Sequence, residues 1–415
     1  MGAVSVEAVP AAKTIASDVS LAACARERTW RLLVACARHA AGLTGATEVL
    51  DVATTVDDWA HVERRASAHG LVPWLARALT SGDGAPNGEH ASCDAKSAAR
   101  AALMAAAHAS AGRTLAQVHR LSELVGALAN VGVTALPYKG PVLSLQLYGD
   151  LALRQSVDLD LVVPFDAYDV ARAALLRRGL PPRWGHTARQ ERTLFSWLGH
   201  APFGEGDEFV ELHWRFADRR FPFALDARDV LRRAQQVRVA GRMMPLMAAD
   251  DLLAVLSMHA ARHLFERLEW VSGVTRLLVA APIKPADLMT RAHALRARRT
   301  LAVSVHVAAQ LLDFPLDDAW RRALAGDSAA SELAERMVRE LAAHELRDAP
   351  WLEGAALVRR YGELVDTRMD RARLFLHAAL DPTAKDQESV ALPDALVPLH
   401  RVIRPLRLAR RYWRG

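Results

Sequence analysis

Two aspartates one residue apart, Asp158 and Asp160, sit in the run Val157-Asp-Leu-Asp-Leu-Val-Val163, which Pro164 ends. The alternation predicts a strand. Both carboxylates then leave one face while Leu159, Leu161 and Val163 pack from the other. Two carboxylates ~7 Å apart on a strand otherwise built of core residues are costly unless something positive lies between them. A divalent cation meets that need, and hard oxygen ligands favour Mg2+ or Mn2+. The run Phe209-Val-Glu-Leu-His-Trp-Arg215 predicts another strand, with Glu211 and His213 on one face. Glu211 then becomes a third ligand if the two strands are neighbours. A separation of more than about 8 Å among the three carboxylates would undo this reading, because Mg2+ reaches its oxygens at ~2.1 Å.

Upstream, Lys139-Gly140-Pro141 reads as a strand-to-helix turn. Gly140 lets a ligand approach the backbone, and Pro141 suits a first helical position. A helix N-terminus with Lys139 beside it favours phosphate. Metal carboxylates next to a phosphate cradle describe phosphoryl or nucleotidyl transfer. Plainer readings stand beside these. The aspartates could form a solvated strand face, and Asp207 or Glu208 could compete with Glu211. Lys139 could pair with an aspartate, and Arg154 could brace the carboxylates instead of touching substrate. His213 could orient a ligand or fill space. His259 and His263, spaced four apart, could share a metal, although a core pair is the simpler reading. His186 and His200 receive no assignment. Asp250-Asp251 is read as the cap of the helix that follows.

The elements that must position these groups follow from periodicity. Residues 1–18 read as a loose tail and 19–129 as a helical region interrupted by a polar loop at 80–97. Residues 130–247 read as an α/β core, and 248–415 as a helical region ending in a basic tail. Within the core, strands are predicted over 132–138, 157–163 and 209–215. Helices are predicted over 141–148 and 166–178, the second closed by Gly179. A hairpin-like segment over 236–247 turns at Ala240-Gly241. The fold class is α+β, mostly helical, with a small mixed sheet between helical flanks.

The 415 residues suffice for a sizeable core, and 51% hydrophobic with 24% charged residues are ordinary globular values. The formal charge of +6 rests on 53 basic residues, of which only Lys13, Lys96, Lys139, Lys284 and Lys385 are lysines. An arginine excess with abundant alanine suits coding bias, so the charge is weak evidence for nucleic acid. The C-terminal run from His400 to Arg414 mixes arginines with Tyr412 and Trp413. It reads as a solvated tail or docking strip, with RNA as the alternative. Cys24, Cys36 and Cys93 form no paired motif, and neither a secretory signal nor a membrane span is predicted. The expected compartment is the cytoplasm.

Together, Lys139-Gly140, Tyr148, Arg154, Asp158-Leu-Asp160 and Glu211-Leu-His213-Trp214 resemble the bacterial uncharacterised nucleotidyltransferases of the DNA-polymerase-β-like superfamily. Ala66-Ser-Ala-His-Gly-Leu-Val-Pro73, His259-Ala-Ala-Arg-His263 and Leu268-Glu-Trp270 extend the resemblance over roughly residues 25–290. It implies attack of an acceptor hydroxyl on the α-phosphate of an NTP such as ATP, with release of pyrophosphate. It also implies Asp158, Asp160 and Glu211 as metal-holding catalytic residues, Gly140 as the phosphate turn and Lys139 as its counter-charge; Arg154 and His213 are kept as further candidates for the phosphate or nucleotide. The acceptor, whether small molecule, peptide or protein, is open. The chain departs from the pattern at Pro141, which removes one N–H from the phosphate turn, and at Gly273, where an aspartate is common. Two further readings are a non-catalytic nucleotide-binding or partner-docking protein that keeps the fold, and an RNA-binding factor acting through the arginine tail.

Overall fold

The computed structural model describes residues 12–81, 93–156, 158–183, 195, 198–343, 354–383, 386, 389–390 and 392–413. Helices α1 (Ala12–Ala41), α2 (Ala46–Ala53), α3 (Trp59–Ala68), α4 (Val72–Thr80) and α5 (Cys93–Ala129) come first. The expected tail is thus helical from Ala12, and α5 begins inside the expected 80–97 loop. Asp58 caps α3 by accepting from His61 N, and Pro73 enters α4 in its first turn, where a missing N–H costs nothing.

A four-stranded sheet follows, built of β1 (Leu136–Pro137), β2 (Leu159–Val162), β3 (His200–Phe203) and β4 (Val210–His213) in the order β1-β2-β4-β3. β1 runs antiparallel to β2, β2 parallel to β4, and β3 antiparallel to β4. The expected 132–138 strand shortens to two residues. β3 was not anticipated, because Pro202 disguises it; as an edge strand, β3 tolerates proline. Helix α6 (Gly140–Tyr148) links β1 to β2 and ends at left-handed Gly149 (φ 72°). Helix α7 (Tyr168–Arg177) follows β2 and is closed by left-handed Gly179 (φ 79°). Leu159, Leu161, Val163, Val210, Leu212, Trp214, Ala201 and Phe203 join one buried cluster with Tyr168 and Ala171 of α7 and Leu121 and Leu128 of α5. The other face of the sheet is therefore free to carry polar groups.

Helix α8 (Ala227–Arg233), capped by Asp226, precedes the hairpin of β5 (Gln235–Val239) and β6 (Arg242–Leu246). The hairpin turns at Ala240-Gly241, both with positive φ, as a type I′ turn requires. Then come α9 (Ala249–Arg262), α10 (Leu268–Ala280), α11 (Pro285–Ala294), α12 (Arg298–Leu312), α13 (Asp318–Leu324), α14 (Ser328–Ala343), α15 (Gly354–Leu364), α16 (Arg368–Leu380) and α17 (His400–Trp413). Asp250 and Asp251 do not cap α9. Ala248 occupies the cap position, and Asp251 is buried in ion pairs with Arg233 and Arg291. Among the described residues, no helix is long and apolar enough to cross a membrane.

The arginines of the C-terminal segment are partly structural. Buried Asp386 accepts from Arg404 Nη1 (2.7 Å), Arg407 Nε (2.6 Å) and Thr383 N (2.7 Å), and Arg404 also donates to Ala378 O of α16 (3.0 Å). These contacts tie α17 to α16 and account for two of the tail's cations without any partner. Asp386→Ala leaves Arg404 buried without its counter-charge, which costs about 3 kcal/mol. Hydrogen exchange over 400–413 is expected to accelerate, whereas a solvated tail would exchange equally fast in both proteins.

Candidate active site

Parallel pairing of β2 with β4 sets Asp160 directly beside Glu211. Asp158 stands just before β2. Ligand atoms of Asp158, Asp160 and Glu211 lie within 4.8 Å of one another, so side-chain adjustments of under ~1 Å would bring them to the spacing around one cation. Antiparallel pairing of β3 with β4 then sets His200 opposite His213 on the same face. The ring centroids of these histidines are 4.8 Å apart.

Asp160 is 2% exposed and forms the centre of the cluster. Its Oδ1 accepts from Lys139 Nζ at 3.0 Å and from His213 Nε2 at 2.8 Å. Its Oδ2 is buried without a hydrogen-bond partner. An orphaned carboxylate oxygen of this kind is costly, and a cation would satisfy it. Burial raises the Asp160 pKa, but Lys139 and the His213 hydrogen bond outweigh it and hold the carboxyl well below the ordinary range. Lys139 and a backbone N–H act on Asp158 too, but more weakly. Burial, with Asp160 beside it, pushes its carboxyl up to about 6. Glu211 is held low despite burial, because His213 Nε2 also donates to its Oε2 at 3.1 Å.

His213 is 5% exposed, turned inward to the two carboxylates rather than presented to solvent. Facing two acceptors, Nε2 carries a proton, and Nδ1 lies 3.4 Å from Tyr138 Oη. Burial disfavours a charged ring there, yet the bonds to Asp160 and Glu211 raise its pKa overall. His200 is the opposite case: burial and neighbouring His213 bring it down to about 4, so it is neutral. Lys139 resists burial through Asp160, Tyr138 and Glu211 and keeps its charge. It occupies the N-cap position of α6, with its ammonium 5.0 Å from the centre of the Tyr138 ring. Gly140 opens α6 at φ 60°, with Pro141 beside it; a Cβ at Gly140 would lie 3.4 Å from Asp158 O.

A family described as uncharacterised nucleotidyltransferase matches residues 55–313, which include the whole sheet and helices α3 to α12. The chain belongs to that nucleotidyltransferase family. No curated protein and no solved structure matches it.

Within this nucleotidyltransferase, Arg154 does not reach the strand carboxylates. It pairs with Glu269 of α10, Nε to Oε1 at 2.6 Å, and both side chains are nearly buried. Glu269 in turn lies over Gly70, where a Cβ would stand 2.1 Å from Oε2, and its N–H donates to His69 O. The His-Gly pair ahead of α4 and the Leu-Glu-Trp segment of α10 thus meet behind Arg154. Lys139, Arg154, His259, Glu269, Trp270 and Gly273 line a narrow cleft that meets the carboxylate cluster at Lys139. Gly273 leaves one wall of that cleft without a side chain. His259 and His263 pack edge-on and tilted against Trp270, ring centroids 5.0 and 4.8 Å apart, and gather no third metal-type ligand among the described residues. His186 falls outside the described residues.

Sequence reasoning missed Tyr138, His200 and Glu269. The signal for Tyr138 was its place next to Lys139, and for Glu269 its place between Leu268 and Trp270. For His200 no local signal existed, since its strand contains a proline and follows a glycine.

Proposed function

We propose that the chain transfers an NMP unit from an NTP to an acceptor hydroxyl with release of pyrophosphate, dependent on Mg2+ or Mn2+. The observation that carries this is the convergence of Asp158, Asp160 and Glu211 through the β2–β4 register, with Asp160 Oδ2 buried and unpartnered. These three residues would hold the ion, which when bound neutralises triphosphate charge. In the reaction, the acceptor oxygen bonds the α-phosphorus and the bond from that phosphorus to the bridging oxygen of the β-phosphate breaks. The pyrophosphate leaves with that oxygen, and the acceptor's proton passes to a carboxylate, for which Glu211, 21% exposed at its side chain, is our choice. Lys139 and the open end of α6 at Gly140 bring positive potential to the phosphates. Arg154, ion-paired with Glu269, shapes the cleft behind Lys139. His213 orients Asp160 and Glu211 rather than touching nucleotide.

The experiment is incubation with each α-32P-labelled NTP, Mg2+ and host lysate, with pyrophosphate followed in parallel. Labelled product together with pyrophosphate is the expected result, absent in Glu211→Gln. Tight Mg2+-dependent NTP binding without either product would overturn transfer. It would favour the second reading, a nucleotide-binding protein without turnover, for which Pro141 speaks by removing one phosphate donor from the start of α6.

A further inference from the structure

The same sheet face carries a second donor set. We propose that His200, Glu211 and His213 bind a transition-metal dication of the Zn2+ or Co2+ type, at a centre distinct from the all-carboxylate Mg2+ site and sharing Glu211 with it. Two imidazoles and a carboxylate make a nitrogen-rich set. Such a set suits first-row transition metals, whereas Mg2+ prefers oxygen alone.

The ligand atoms of these three residues lie within 4.8 Å of one another. Donors around an ion with ~2.1 Å bonds stand ~3–4 Å apart, so side-chain movements of under ~1 Å would close the set. The backbone already fixes its frame. Gly199 O accepts from Trp214 N (2.9 Å) and Arg215 N (3.1 Å), pinning the start of β3 to the end of β4. Gly199 has φ 83°, and a Cβ there would lie 2.7 Å from Arg215 Cβ, so this close approach needs glycine. The result is His200 squarely opposite His213.

Three observations favour a metal over space-filling. The nearest His200 approach to a carboxylate, Nε2 to Glu211 Oε1, is 3.8 Å, too long for a hydrogen bond, and its ring makes no hydrogen bond among the described residues. Tyr138 Oη lies 3.4 Å from His213 Nδ1, where it can accept the proton that fixes the ring and leaves Nε2 as the metal-facing nitrogen. Nε2 now donates to Asp160 and Glu211, so a metal would replace that proton and release it to solvent. Finally, three clustered carboxylates face one close lysine, and buried Asp160 keeps an unpartnered Oδ2. The histidines add donors without adding charge. His200 and Glu211 have side chains 24% and 21% exposed, which leaves an entry route at the edge of the sheet.

The test is a titration of the metal-stripped full chain with Co2+, read by visible absorption. Expected are bands of a nitrogen-bearing site that Zn2+ displaces and millimolar Mg2+ does not. His200→Gln should lower Co2+ affinity ~10-fold or more, with near-UV circular dichroism unchanged. Asp158→Asn should keep the bands. Bands that survive His200→Gln, or that Mg2+ displaces, would overturn the proposal. The centre does not depend on nucleotidyl transfer: Co2+ bands that need His200 in a protein without Mg2+-dependent ATP binding would retain this site and remove the transfer reading.

Discussion

Asp158→Asn and Asp160→Ala should each abolish Mg2+-dependent ATP binding in calorimetry, a loss of ~100-fold or more, while moving stability in opposite directions. Asp160 is the acceptor for Lys139 and His213 inside the protein. Its removal strands a buried ammonium, which costs about 3 kcal/mol. Asp158 has the reverse energetics. Its carboxyl is pushed from 3.8 to about 6 by burial and by Asp160, so ionisation there opposes folding. The folded state holds its proton more tightly than the unfolded chain does. Its stability contribution is therefore complete at pH below 3.8 and falls as pH rises through about 6. Asp158→Asn should then stabilise the metal-free protein by on the order of 2 kcal/mol at pH 7.5, with the gain vanishing towards pH 4. Denaturant unfolding of both variants at the two pH values checks this. Equal destabilisation by both would mean that Asp158 is a structural residue, not a carboxylate held for a cation.

Glu269→Ala is expected to cost about 3–5 kcal/mol, with a lower melting temperature and weaker nucleotide binding together. Glu269 is the partner that keeps Arg154 paired, ordered and nearly buried, and its N–H fastens the start of α10 to His69. Glu269→Gln keeps the shape and an acceptor and should cost clearly less. Gly70→Ala should reproduce part of the Glu269→Ala loss from the other side, because its Cβ would press on Oε2 and the residue holds φ 73°. Thermal melts and ATP titrations of the three variants decide the matter. A neutral Glu269→Ala would show that Arg154 finds its place without help.

The carboxylate centre was legible because it depends on a period of two. Once Asp158-Leu-Asp160 and Val210-Glu-Leu-His213 read as strands, each had one apolar and one polar face, and the apolar faces do share a core. Their adjacency was only a condition in the sequence, and the β2–β4 register meets it. His200 was illegible because Pro202 and Gly199 obscure an edge strand that exists only through pairing with β4. The Arg154–Glu269 pair joins residues 115 apart, a distance over which no local pattern speaks. Asp250-Asp251 misled for a different reason. Both do stand in the first turn, where carboxylates suit the helix dipole, but Ala248 takes the cap position and the Asp251 carboxylate is engaged by Arg233 and Arg291. The hairpin at Ala240-Gly241 and the ends of α6 and α7 at Gly149 and Gly179 were legible, since each needs positive φ locally.

The parallel pairing of β2 with β4 also bears on how the protein is made. Asp160 and His213 stand 53 residues apart, and parallel strands cannot be joined by a tight turn, so the intervening chain must cross over first. Closing such a loop is slow and comes late compared with helix formation. On the ribosome, β2 emerges well before β4, so the face that sets Asp160 beside Glu211 does not exist until the crossover has been made. Refolding should therefore bring Asp158, Asp160 and Glu211 together only with the β2–β4 pairing, after the helices have formed.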